Sequence, residues 1–167
     1  MKKLAKKHHD GQFRKGEGNI PYIVHPQAVA ETLINWGESE DSNAVKIAWG
    51  HDLLEDTQVT ESEIISASSE EVLQAIKMLT CPEGMEKMQY LQSVAASGRR
   101  NVLLVKIADR ICNTRDFIQL KGEAHAYQYM HKADVLLPAL EKLSGDKVVQ
   151  NALTAWHALD SMISKYA

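Results

Sequence analysis

Apolar residues recur at steps of three and four along almost all of this 167-residue chain, and strict apolar and polar alternation is nowhere sustained. A strand hides every second side chain and a helix every third or fourth, so helices alone can gather these residues into a core. The expected fold class is therefore all-α, a single-domain helical bundle over residues 1–167, because a chain of this length makes one ordinary domain. The segment VLLVKIADRI, residues 102–111, is so uniformly apolar that its helix belongs at the centre.

Capping and breaking residues divide the pattern. A short basic helix is expected in the first ten residues, followed by a long rigid loop, DGQFRKGEGNIPYIVHP, with three glycines and two prolines. Pro26 is expected to open the next helix, with Val29, Leu33 and Trp36 on one side and Gly37 as its stop, leaving His25 in the extended conformation that a following proline favours. ESEDSN offers caps for AVKIAWGHDLLEDT, read as one helix, and Thr60 with Glu63 forms a capping box for another. SEEVLQAIKML and EKMQYLQSVAA follow; Asn101 is expected to cap VLLVKIADRICNTRD, and Pro138 to kink or divide the stretch from Ala126 to Leu143. The last helix, DKVVQNALTAWHALDSMISKY, is expected to pack on the bundle or on a second subunit, which leaves a homo-oligomer open. Met78, Met85, Met88, Met162, Trp36, Trp49 and Trp156 read as core filling.

With 19 Lys and Arg against 22 Asp and Glu, the chain lacks the cationic surplus of a general nucleic-acid or anionic-membrane binder. No run approaches membrane-spanning length, MKKLAKKHHD lacks the apolar stretch of a signal peptide, and Cys81 and Cys112 have no C-x-x-C partner. A cytoplasmic location is expected, with no disulfide framework, no thiolate zinc site, no nucleic-acid partner and no membrane.

The chemistry concentrates in HDLLEDT, residues 51–57. At about 100° per residue, His51, Asp52, Glu55 and Asp56 fall on one face, which continues the face of Ala44, Val45, Ala48 and Trp49. Carboxylates on a core-facing arc need a cation against them. On the central helix, Val102, Val105, Asp109, Asn113 and Asp116 share a stripe, so Asp109 is a second anion with few routes to water. The competing readings are a solvated acidic helix end for the first cluster, and for Asp109 a buried salt bridge with Lys106 or Arg110. Joined by His25, the residues His51, Asp52 and Asp109 would make a complete nitrogen and oxygen ligand set for one divalent ion; Mn, Fe, Zn and Mg stay open, with the imidazoles weighing against Mg and the carboxylates compatible with Mn. Glu55 and Asp56, one turn on, stand where general acid and base groups belong. His8 and His9 are expected to be exposed, and His131 and His157 to serve surface or packing roles.

Four blocks, HDGQFRKGEGNIPYIVHP, HDLLEDT, VKIADR and ICNTRD, together resemble the HD-domain phosphohydrolases, specifically the hydrolase domain of the RelA/SpoT family and its small stand-alone alarmone hydrolases. The resemblance spans roughly residues 5–135. It implies an all-α bundle of the HD-domain type and a metal-dependent, usually Mn-dependent, enzyme that hydrolyses guanosine 3′,5′-bispyrophosphate and related alarmones at the 3′ pyrophosphate, giving GDP or GTP. Carried over by position, His25, His51, Asp52 and Asp109 would be ligands, with Glu55 and Asp56 preparing water and handling protons. Arg14 and Lys15 would approach the nucleotide and Asn113 the ribose. Where the family carries a basic residue followed four later by tyrosine, this chain has His125 and Tyr129, so nucleotide contacts are expected to differ there. The rival functions are a phosphohydrolase for another nucleotide or phosphoester, and a nucleotide-sensing module without turnover.

Overall fold

The structure is a computed structural model that describes residues 1–16 and 18–166, with residue 166 described by its backbone alone. Among the described residues there is no strand, only an isolated antiparallel bridge between Phe13 and Pro21 that pins the loop ahead of α2. The helices are α1 (Lys2–His8), α2 (Val24–Asn35), α3 (Asn43–Gly50), α4 (Leu53–Asp56), α5 (Glu61–Ala67), α6 (Glu70–Leu79), α7 (Lys87–Ala96), α8 (Arg100–Lys121), α9 (Glu123–His131), α10 (Leu137–Glu141) and α11 (Lys147–Ile163). Short 3-10 turns at Asp134–Leu136 and Ser164–Tyr166 complete the path. The element order matches an all-α chain, and Pro138 divides the stretch after α9 by taking its place in the first turn of α10.

Helix α8 is the axis. Val102 to Val105, Ile107, Ala108 and Ile111 are fully buried, and α2, α3, α6, α9 and α11 all pack against it. α11 therefore lies on its own bundle, seated by Trp156 and by the Asp146 carboxylate, which accepts the N–H groups of Val148 (2.8 Å) and Val149 (3.2 Å). The three tryptophans are buried as expected, but Met78, Met85, Met88 and Met162 are exposed. On α6 the buried face is Val72, Leu73, Ala75, Ile76 and Leu79, and Met78 falls outside that arc.

Local chemistry explains where helices begin and end. Thr60 and Glu63 form the expected reciprocal box. After α2, Gly37 adopts φ +112° and the N–H groups of Gly37 and Glu38 reach back to the carbonyls of Ile34 (2.9 Å) and Leu33 (3.0 Å), a crossed pair that closes the helix. Asn101 is not the cap of α8, which starts one residue earlier. Its side-chain oxygen is taken by Arg100 (3.1 Å), whose guanidinium is also held by Glu38 (2.6 Å) and Asp146 (2.8 Å). His25 is likewise not extended: α2 begins at Val24, and Pro26 is its third residue. A first-turn residue needs no helical N–H partner, so the proline costs no hydrogen bond there, while the His25 N–H finds the Tyr22 carbonyl at 2.9 Å.

HDLLEDT does not continue α3. His51 turns its Nδ1–H onto the carbonyl of Ala48 (2.7 Å), the acceptor that an unbroken helix would assign to Asp52. Asp52 then departs to φ −100° and ψ −3°, and α4 restarts at Leu53. Gly50 precedes the break where α3 meets α6: a Cβ there would lie 2.8 Å from Ile76 Cδ1.

Candidate functional site

Three elements converge on one point. The first turn of α2 delivers His25, the break after α3 delivers His51 and Asp52, and the middle of α8 delivers Asp109. His51 Nε2 lies 3.1 Å from Asp52 Oδ2 and 3.9 Å from Asp109 Oδ1, while His25 Nε2 lies 3.2 Å from Asp109 Oδ1 and 3.7 Å from Asp52 Oδ2. His25, His51 and Asp52 each offer a donor atom, and these three atoms all lie within 4.8 Å of one another, close enough to hold one metal ion. Asp109 stands outside that trio but turns one oxygen to both imidazoles.

The donor set fits a cation for a specific reason. With its Nδ1–H given to Ala48, a neutral His51 ring has only a lone pair at Nε2, and that atom, buried and without a hydrogen-bond partner, faces carboxylate oxygens. Lone pairs in that arrangement repel unless positive charge lies between them. Burial alone works against a charged His51, yet Asp52 and then Asp109 outweigh it and push its pKa up to about 9. Burial also opposes ionisation of Asp52, but His51 and His25 hold it well below the usual carboxylate range. Asp109 is held well below its ordinary value too; burial is opposed first by Lys106 and then by His25 and His51.

Asp109 divides its two oxygens. Oδ2 accepts from the half-buried Lys106 ammonium at 2.9 Å, whereas Oδ1 accepts from Asn113 Nδ2 at 2.5 Å on the side of the histidines. The salt bridge weighed from the sequence thus exists with Lys106, and it coexists with the cluster. Arg110 takes no part in it and turns to Tyr129.

A cavity of about 520 Å³ opens beside these groups, bordered by His25, Asp52, Glu55, Asp56, Asp109 and Tyr129 among others. The expectation that all four ionisable groups of HDLLEDT lie on a buried face fails beyond Asp52. The break redirects α4, so Glu55 and Asp56 are exposed at the cavity edge, with Glu55 Oε2 accepting the Cys81 N–H at 3.3 Å. An adjoining hollow of about 500 Å³ is bordered by Phe13, Arg14, Lys15 and Phe117 and shares Tyr22, Asp56 and Asn113 with the first. Arg14 is steered there by Asp116 (2.5 Å) and Asn113 (3.3 Å), and Lys15 is exposed. His125 is exposed against the edge of Phe117.

Two site groups escaped the sequence reading. The Tyr22 hydroxyl donates to Asp52 Oδ2 at 2.6 Å, and burial, then Asp52, drives its pKa upward, so the phenol stays protonated. The only sequence signal was its place in PYIVHP, three residues before His25. His9, expected at the surface, is buried with 2% of its area exposed; its Nδ1 meets Gln12 Oε1 at 2.8 Å and its ring lies 4.8 Å from that of Tyr22. Gln12 in turn donates to the Asp56 carbonyl at 2.8 Å, so the end of α1 and the loop close over the site together. His8 is half-buried, 3.2 Å from Glu63, while His157 is exposed and His131 bridges Asp134 and Asp160, as a packing role requires.

Compared with curated proteins, the chain is similar to guanosine-3′,5′-bis(diphosphate) 3′-pyrophosphohydrolase MESH1 of Danio rerio, 31% identical over 128 residues that cover 74% of this chain and 70% of that protein. The protein of the same name from Xenopus tropicalis is also 31% identical, with 75% and 72% covered. The guanosine-3′,5′-bis(diphosphate) 3′-pyrophosphohydrolase of Haemophilus influenzae is 31% identical over 160 residues, 90% of this chain but 23% of that longer protein. Among solved structures, one described as a metazoan ortholog of SpoT that hydrolyzes ppGpp superposes with a TM-score of 0.72 at 19% identity, covering 93% of this chain and 91% of that one, a likeness of fold. No model of a protein family matches the chain.

Proposed function

We propose, on the premise that this chain belongs to the guanosine-3′,5′-bis(diphosphate) 3′-pyrophosphohydrolase family, that it hydrolyses the 3′ pyrophosphate of guanosine 3′,5′-bispyrophosphate and its triphosphate analogue, giving GDP or GTP and pyrophosphate. Water attacks the phosphorus bonded to the ribose 3′ oxygen. The phosphorus to 3′ oxygen bond breaks, its electron pair stays on the ribose, and that oxygen takes a proton while the water oxygen remains on the pyrophosphate.

The convergence of His25, His51, Asp52 and Asp109 on one wall of a cavity carries this reading. These four would hold a divalent ion, with Mn2+ our choice for a set of two imidazoles and two carboxylates. Such an ion supplies Lewis acidity, drawing charge from phosphoryl oxygens and lowering the pKa of nearby water. Glu55 and Asp56, at the wet edge of the cavity, orient the water and carry its proton to solvent or to the departing ribose oxygen. Tyr22 keeps the Asp52 carboxylate turned inward through its hydroxyl. The adjoining hollow takes the nucleoside: Arg14 and Lys15 meet the base or its 5′ phosphates and Asn113, shared by both spaces, the ribose, while Tyr129 meets the substrate from the wall of the first cavity. We take residues 1–167 as one catalytic domain with a guanine nucleotide as its partner, acting in the cytoplasm where such a substrate and two free cysteines belong.

The test is elemental analysis of the purified protein followed by product identification with the alarmone and added Mn2+. Expected are about one bound metal per chain and stoichiometric GDP and pyrophosphate. Phosphate release from nucleoside monophosphates with the alarmone untouched would reassign the substrate, and tight alarmone binding without product would identify a sensor.

A further inference from the structure

Arg110 follows Asp109 in sequence and borders the same cavity, yet only 4% of its area is exposed. A guanidinium removed from water to that degree is ordinarily matched by a carboxylate, because an unmatched buried charge is strongly unfavourable. Arg110 has no such partner among the described residues. Its Nη1 donates to the Tyr129 carbonyl at 3.1 Å, its Cζ lies 4.0 Å from the centre of the Tyr129 ring, and its Nε is buried with no hydrogen-bond partner. The neighbouring Lys106 differs, being already neutralised by Asp109.

The rest of the wall makes this cation more conspicuous. Asp52, Glu55, Asp56, Glu86 and Asp109 all border the cavity, so a polyphosphate entering it meets several carboxylates. An anion can be held there only where a cation outweighs them. Lys132, one residue past α9, borders the same space and is exposed, so its flexible ammonium can close on whatever Arg110 fixes. The face-on ring of Tyr129 holds the guanidinium in one plane, the condition for forked hydrogen bonds to two phosphoryl oxygens.

We propose that Arg110, with Lys132, forms an anion subsite for the pyrophosphate arm that is cut from the substrate, so that the unmatched guanidinium in the structure is matched in the complex. The assignment rests on the function proposed above, but its central measurement does not. Inorganic pyrophosphate is titrated calorimetrically into the full-length protein stripped of metal, and then used as a product inhibitor in the presence of Mn2+. Arg110→Gln is expected to weaken pyrophosphate binding about tenfold or more in both settings, with Arg110→Lys intermediate and Lys132→Gln weaker by about threefold, while bound metal is unchanged. If the alarmone is not a substrate but pyrophosphate still binds through Arg110, the subsite stands and only the substrate reading fails. If the alarmone is hydrolysed and Arg110→Gln keeps both its KM and its pyrophosphate affinity, losing only thermal stability, Arg110 merely braces Tyr129 and the subsite is refuted. Should Arg110→Gln not fold, unaltered affinity in both Arg110→Lys and Lys132→Gln refutes it equally.

Discussion

Asp109 serves two masters with one carboxylate: Oδ2 neutralises Lys106 and Oδ1 faces the histidines. Asp109→Ala should therefore abolish metal retention and turnover and also leave the half-buried Lys106 ammonium without its carboxylate, lowering stability by about 1–3 kcal/mol in denaturant unfolding. Glu55→Ala, at an exposed position, should leave stability within about 0.5 kcal/mol and bound metal intact while losing most of kcat. Equal metal loss in the two variants, read by elemental analysis, would reverse the roles given to them. Tyr22→Phe keeps the ring against His9 but deletes the donor to Asp52, and metal titration of the stripped protein should show about 10- to 100-fold weaker binding. At this scale helical spacing was informative for Asp109, whose stripe lies in the core, and failed for Glu55 and Asp56, which the break after α3 turns outward. It failed for His9 and Tyr22, whose positions depend on how the loop between α1 and α2 crosses the bundle; no local periodicity encodes that path.

Element boundaries were legible where a backbone group had an obvious partner nearby in sequence. Ser42, Thr60 and Asp146 cap as their types suggest, and Gly37 closes α2. The misreadings arose where a distant group intervened. Asn101 lost its capping role to Arg100, which is itself drawn by Glu38 and Asp146 from two other segments, and the α3 to α4 break was set by a side chain, His51, competing for a backbone carbonyl. Asp146 lets these effects be separated. Asp146→Ala removes both the cap of α11 and the link to Arg100 and should cost about 1–2 kcal/mol in urea unfolding; Asp146→Asn keeps an acceptor for the Val148 and Val149 N–H groups and should lose less than half as much. Equal losses would mean that the Arg100 pair, and not the cap, carries the effect.

Over the whole molecule, His131 ties the end of α9 to the turn at Asp134 (2.8 Å) and to Asp160 on α11 (3.0 Å). Burial works against its charge, but Asp134 and then Asp160 together outweigh it and hold its pKa above the ordinary 6.5. Because the folded value is the higher one, this contribution to stability is complete below 6.5 and disappears as pH rises through the raised folded value. The melting-temperature gap between wild type and His131→Gln should be widest in mildly acidic buffer and close in alkaline buffer; a gap independent of pH would show that the imidazolium contributes nothing. The arrangement of the interior suggests why such distant ties matter little to the chemistry itself. Lys106, Asp109, Arg110 and Asn113 ride on one long helix with its apolar flank locked in the core, so their mutual spacing is set by covalent pitch and not by tertiary adjustment. The rim above that floor comes from other segments, the loop ahead of α2 and the start of α7, so its side chains can be exchanged while the floor stays in register.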